Sequence, residues 1–502
     1  VRRFASAGLA LFLLGLALLL RLPQLGNRPF HADEAVHAVK FRELWEHGRY
    51  RYDPNEFHGP TIYYAALPTV AASGHKTFVA LQEADLRLVI ALVGAALVPL
   101  FLLLRKPLGT SAVLWAGLFA ALSPALVFYS RYFIQEVFLV VFTLVFLASV
   151  TLKKPIAAGI AAGLMVATKE TAVLTFFAAG VAWLLVSRKR PTLGRSFWLA
   201  LGVAITVACV ALYGCYRPLP TEARPNPLQY FQAYTPWLHR AAGEELHKNP
   251  WFDYLERFFW HRREGVPLWS ESLILLLGIF GALKPPTTAE RPFVRFLALF
   301  TLFLTVGYSL IPYKTPWCAL NFLMPLTLLA GVGVAGLIER AAKLPAKALI
   351  TGLILLASAH LGWLSYQTSF VHFASNKNPY VFSPTVPDVV KLKTRIEDLA
   401  KVHPDHEKLV IKVLSKDGYY WPLPWYLRRF ENIGYWTQLP ADPDAPLVLA
   451  SPEFDEALTP KLKDHIMTGF FALRPDASYE LFVKMNLWEP YLKQRGPVED
   501  EE

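Results

Sequence analysis

The sequence is short of cysteine, of methionine and, above all, of charge. Its three cysteines, Cys209, Cys215 and Cys318, lie in or beside apolar runs without CxxC spacing. That excludes a disulfide framework and a thiolate metal site. Only 18% of the 502 residues are charged while 54% are hydrophobic, and mean hydropathy is +0.33. A soluble protein of this length carries more charge and lacks repeated apolar runs of spanning length. Internal repeats and low-complexity tracts are also missing. The formal charge of +11 does not indicate nucleic acid, because membrane proteins concentrate Lys and Arg in short cytoplasmic loops.

What the chain does have is eleven apolar runs, at about 4–22, 86–104, 110–128, 134–151, 155–169, 171–187, 196–213, 266–283, 293–310, 317–338 and 346–366. They predict a polytopic α-helical membrane protein. The first follows Arg2-Arg3 as a secretory signal would. Ala5 to Leu22 is long for a signal core, however, and no small-residue cleavage site follows, so it reads as a retained span. The loops alternate in charge: Arg105-Lys106, Lys153-Lys154, Arg188-Lys189-Arg190 and Arg340-Lys343-Lys347 share one side with the N-terminus. The positive-inside rule makes that side cytoplasmic. An integral protein of the cytoplasmic membrane follows, with a first external loop at 23–85, a long external loop at 214–265 and a transmembrane domain over 1–370. From 371 to 502 the composition turns polar, predicting an extracytoplasmic α/β domain. Within it Leu409–Leu414 and Leu447–Ala450 read as strands, and Lys391–Val402 and Pro460–Thr468 as helices.

The stretch with chemical content is His31-Ala32-Asp33-Glu34-Ala35-Val36-His37. Acids beside a bilayer are costly and mark functional sites by default. Helical spacing over Ala35 to Trp45 puts both acids at a helix N-terminus, where anions are favoured. Capping alone explains one carboxylate but not two in a row. Asp33-Glu34-x-x-His37 lacks the first His of a zinc-peptidase motif. A divalent cation held by Asp33, Glu56 or His58 is the hard-ligand alternative. Downstream, Tyr50-Arg51-Tyr52-Asp53-Pro54-Asn55-Glu56-Phe57-His58-Gly59-Pro60-Thr61-Ile62-Tyr63-Tyr64 adds further acids, a His and a turn-forming Gly-Pro.

This order of elements resembles the first external loop of protein O-mannosyltransferases and lipid A aminoarabinose transferases, which are GT-C glycosyltransferases. It is most similar to the prokaryotic flippase-activity-associated membrane family of archaeal N-glycosylation. Ser130-Arg131-Tyr132-Phe133-Ile134-Gln135-Glu136, Thr168-Lys169-Glu170-Thr171, Pro312-Tyr313-Lys314-Thr315-Pro316-Trp317 and Tyr420 to Arg428 carry the likeness further along the chain. His58-Gly59-Pro60 departs from the His-Pro-Pro of the O-mannosyltransferases, and the C-terminal part does not read as their β-trefoil.

The resemblance implies a hexosyltransferase that takes a monosaccharide from a polyprenyl-phosphate donor to a glycan, lipid or protein acceptor, with inversion. Such a reaction needs a carboxylate base for the acceptor hydroxyl and fixed cations for the departing phosphate. Asp33 is the expected base, with Glu34 and Glu136 as further acids. Arg131, Lys169 and Lys314, each at an outer helix end, are the expected phosphate ligands. Glu56, His58, Tyr63, Tyr132, Trp421 and Trp425 are the expected substrate contacts, the aromatics by stacking on sugar rings. Their simpler readings are an exposed Lys169-Glu170 boundary pair, helix caps and an aromatic belt. The rival function is a flippase, or its accessory protein, that moves lipid-linked sugars without bond-making. Transporters usually place polar groups at the bilayer midplane, whereas here they gather in external loops.

Overall fold

In the computed structural model the apolar runs are helical, though not always as one helix to a run. The structure describes residues 2–54, 58–187, 194–216, 226–242, 248–475 and 477–495. Glu56, the basic run Arg188-Lys189-Arg190, His247 and the acidic tail from Glu499 lie outside the described residues. Among those described, Glu83–Leu108, Arg195–Tyr213, Arg291–Leu310, Pro316–Arg340 and Leu344–Val371 are long and apolar enough to cross a membrane. Ser6–Arg21, Thr110–Leu122, Glu136–Thr151, Pro155–Val166, Ala172–Val186 and Ser272–Leu283 are shorter apolar helices.

The run expected as one span at 110–128 is two helices, Thr110–Leu122 and Pro124–Tyr129. Pro124 has no N–H to continue the first, so it starts the second, whose cap is Ser123. The buried Glu271 carboxylate secures the break, accepting from Ser123 Oγ and from Ala125 N–H at 2.9 Å. The segment after the first apolar run is not irregular either: it contains helices Ala32–His47 and Thr61–Ser73.

By internal packing the chain divides into two units. The first comprises Val1–Leu25, Glu43–Lys76 and Ala84–Phe382; the second comprises Gly26–Arg42, Thr77–Glu83 and Ser383–Glu502. Small residues set the closest helix contacts in the first. A Cβ at Gly159 would lie 2.5 Å from the Ala200 carbonyl oxygen, and one at Gly163 2.6 Å from that of Ala204. Pro155–Val166 and Arg195–Tyr213 therefore touch backbone to backbone.

The second unit holds a five-stranded sheet of β1 (Ile411–Leu414), β2 (Ile433–Trp436), β3 (Leu447–Ala450), β4 (His465–Arg474) and β5 (Ala477–Lys484), in the order β2-β1-β3-β5-β4. β1 runs parallel to β2 and β3, with Ile411 opposite both Ile433 and Leu447. β5 is antiparallel to β3 and β4. Leu414, Val448, Phe454, Leu458 and Phe482 form a core on one face. Helix Asp388–Val402 buries Leu392, Ile396 and Leu399, one stripe at helical spacing. The helix expected at Pro460–Thr468 is a short 3-10 turn, Thr459–Lys461, followed by β4. Its register shifts between Met467 and Gly469, and such an irregularity breaks the alternation by which a strand is read.

Candidate functional site

The densest chemistry in the first unit lies on residues 167–171, the link between helices Pro155–Val166 and Ala172–Val186. Lys169 and Glu170 are both buried there, so they are not an exposed boundary pair. They are adjacent in sequence, yet each is paired with a different element. Lys169 Nζ donates to Glu136 Oε1 at 2.6 Å. Glu136 opens helix Glu136–Thr151, where the helix dipole favours a carboxylate. The Cys318 thiol donates to the same oxygen at 3.4 Å and touches Thr315 Oγ1 at 3.2 Å. The second acid and the lysine expected to serve the donor phosphate thus form one buried ion pair. An ammonium has three donors; Glu136 takes one, and Cys318 Sγ at 3.9 Å takes a second.

Glu170 Oε2 lies 2.6 Å from His58 Nδ1, and the Tyr52 hydroxyl donates to Oε1 at 3.0 Å. Burial pushes the Glu170 carboxyl up, but the charge and hydrogen bond of His58 and the bond from Tyr52 outweigh it, so it stays below its ordinary value. Burial and the Glu170 charge raise the Tyr52 phenol, keeping it a donor. Trp237 stacks on the His58 ring at 4.7 Å. Gly59 explains the departure from His-Pro-Pro. Its N–H donates to the Thr168 carbonyl at 3.1 Å, and a Cβ there would run into the Ala167 carbonyl. Proline offers no such donor.

The other expected cations serve helix ends. Arg131 donates to the carbonyls of Arg21 at 2.8 Å and Gln24 at 3.2 Å, closing the helix Arg2–Arg21, and its guanidinium lies over Phe370 at 4.4 Å. Lys314 donates to Ile311 O at 2.6 Å and Asn249 O at 3.3 Å, capping Arg291–Leu310. Both satisfy carbonyls that a helix C-terminus leaves open. Tyr63 and Tyr132 are buried, the former 5.4 Å from the Tyr50 ring and the latter 4.9 Å from Phe128.

The paired acids of the first loop begin helix Ala32–His47, at the part belonging to the second unit. They differ sharply in environment. Glu34 is fully buried, 2.8 Å from Arg28, and accepts from His31 N–H at 3.0 Å, the returning half of a capping box. His31 Nδ1 accepts from Asp33 N–H at 3.1 Å; burial holds this imidazole below its ordinary value and so favours the neutral acceptor form. Capping is the work of Glu34 and His31. The Asp33 side chain is half-buried and, among the described residues, accepts no hydrogen bond. Of the aromatics expected to stack on sugars, Trp421 is half-buried, 6.1 Å from Tyr420. Trp425 is fully buried, with Phe30 at 4.8 Å and the Arg428 guanidinium over its ring at 3.8 Å, which leaves no face for a sugar.

Among the described residues no group of three or more His, Cys, Asp or Glu side chains is arranged to hold a metal. His58 is engaged with Glu170. Sequence reasoning missed Tyr52, Trp237 and Cys318 because aromatic and thiol contacts across 100 and more residues leave no local periodicity.

Residues 68–213 match the model of a family described as dolichyl-phosphate-mannose-protein mannosyltransferase. No curated protein matches the sequence. Among solved structures, ArnT from Cupriavidus metallidurans in the apo state is similar at a TM-score of 0.66 and 16% identity, over 96% of this chain and 99% of that one. A second ArnT structure, bound to undecaprenyl phosphate, gives 0.62 and 16% over 94% and 98%. The archaeal oligosaccharyltransferase AglB from Archaeoglobus fulgidus, in complex with an inhibitory peptide and a dolichol-phosphate, gives 0.54 and 12% over 97% and 77%. Arabinofuranosyltransferase AftD from Mycobacteria gives 0.51 and 14% over 96% of this chain and 40% of that chain. These are GT-C glycosyltransferases. The chain is an integral membrane protein with the GT-C fold.

Proposed function

We propose that the protein is a glycosyltransferase that moves a monosaccharide from a polyprenyl-phosphate carrier to an extracytoplasmic hydroxyl acceptor. The observation that carries this reading is the contrast between Asp33, whose carboxylate accepts no hydrogen bond among the described residues, and the buried Lys169–Glu136 and His58–Glu170 pairs in a GT-C fold. The family match over 68–213 and the ArnT and AglB structures, with their undecaprenyl and dolichol phosphates, support a lipid-phosphate carrier.

In this reading the acceptor oxygen attacks the anomeric carbon and Asp33 takes its proton. The bond from the anomeric carbon to the phosphate oxygen breaks, with inversion, and polyprenyl phosphate leaves with the electron pair. Lys169 stabilises the charge that grows on the phosphate, and Glu136 holds the ammonium in place. Arg131 and Lys314 act indirectly by fixing helix ends. The basic loops face the cytoplasm and the C-terminal domain lies outside.

The test is purified protein in detergent with a polyprenyl-phosphate hexose and an extracted acceptor pool. Released polyprenyl phosphate, lost in Asp33→Asn and Lys169→Met, is the expected result. Translocation of labelled lipid by reconstituted protein, without release and unaffected by Asp33→Asn, would establish the flippase instead.

A further inference from the structure

The segment that carries Asp33 is not grouped with the helices next to it in sequence. Gly26–Arg42 packs with Thr77–Glu83 and the C-terminal residues in one unit. The contacts that hold it converge on the short helix Leu423–Tyr426 and the residues just after it. Phe30 N–H donates to the Tyr426 hydroxyl at 2.9 Å, and the Phe30 ring lies 4.8 Å from Trp425. Phe30, Trp425 and Tyr426 are all buried. Trp425 Nε1 donates to Glu83 at 3.1 Å, and its indole meets the edge of Phe78 at 5.5 Å. Arg428 covers the indole and donates to the carbonyls of Phe78 and Leu81. Arg42, at the far end of the segment, lies over Phe78 at 5.5 Å.

Three stretches far apart in the chain thus meet on one tryptophan. Only two residues separate Phe30 from Asp33, and His31 and Glu34 together start the helix there with hydrogen bonds of their own. A buried backbone N–H that loses its acceptor has a strong reason to move. Displacement of a reacting group by about 1 Å costs on the order of a hundredfold in rate.

We propose that Tyr426, backed by Trp425 and Arg428, is a positioning residue of the C-terminal unit that sets the place of the Asp33 carboxylate. The inference rests on Asp33 being the base. Tyr426→Phe removes the acceptor for Phe30 N–H and leaves the ring in place. Hydrogen exchange of amides 30–36 in the full-length protein rises about tenfold in this variant, while exchange in Asp388–Val402 is unchanged. Turnover falls about tenfold with donor KM unaltered. In an Asp33→Glu background, where the carboxylate is already displaced, the same substitution lowers turnover less than about twofold. A merely structural role predicts equal loss in both backgrounds, and that result overturns the proposal, as does unchanged exchange at 30–36. Full turnover in Asp33→Asn would instead remove the base assignment itself, whatever the exchange data show.

Discussion

His58 Nδ1 and Glu170 Oε2 stand 2.6 Å apart in a buried pair, with a tyrosine on the second oxygen and a tryptophan on the imidazole face. Breaking such a pair by removing one charge costs about 3–5 kcal/mol, because the other is stranded. Glu170→Gln should therefore lower thermal stability in detergent at neutral pH by roughly that amount. The Glu170 carboxyl sits below its ordinary value of 4.5. Its stabilisation is fully present above that value and is lost as pH falls through the depressed one. Melting curves of wild type and Glu170→Gln should thus converge in acid; a gap that persists there would show that charge is not the cause.

Lys169→Met leaves the Glu136 carboxylate buried and unpaired, while Lys169→Met with Glu136→Gln leaves no charge behind. The double variant should be the more stable of the two, with a coupling energy of about 1–3 kcal/mol in a double-mutant cycle. Additive losses would mean that the two groups do not act as a pair.

Asp33 and Glu34 should separate cleanly. Asp33→Asn changes a side chain with no hydrogen-bond partner among the described residues, so its melting point should match wild type while transfer falls about a hundredfold or more. Glu34→Gln uncouples Arg28 and weakens the helix start, so it should lower stability by about 3–5 kcal/mol. Exchange of these two outcomes would reassign the base to Glu34.

Gly59→Pro restores the His-Pro-Pro pattern on paper, yet it deletes the N–H that donates to Thr168 O and drives carbon into the Ala167 carbonyl. A loss above about 2 kcal/mol is expected, with His58 displaced and the Glu170 pair weakened. Wild-type melting in this variant would contradict the docking of this loop.

The apolar helices were legible because each needs only a local apolar run, and so were β1, buried at three of its four residues, and β3, buried throughout. β2 is four residues of partly buried edge strand, and β4 carries an irregularity, so neither shows a clean period of two. For the site, residue types and their helix-end positions were readable. Partners were not: nothing in the sequence tells Lys169 to choose Glu136 over its neighbour Glu170, or sends Arg131 to the Arg21 carbonyl. Those choices are made by tertiary packing. For the same reason composition, which changes near 371, cannot reveal that residues 26–42 keep company with the C-terminal sheet.

Gly159 and Gly163 have no side chain to contribute to any reaction, but the helix they lie on leads directly into Lys169. With bare backbone pressed against Ala200 and Ala204, that helix has little freedom to slide or roll, and a single added methyl would act as a wedge between the two. The ammonium a few residues further on would swing with it. Accuracy at the charged end of this helix is therefore inherited from two positions that are defined by having nothing there.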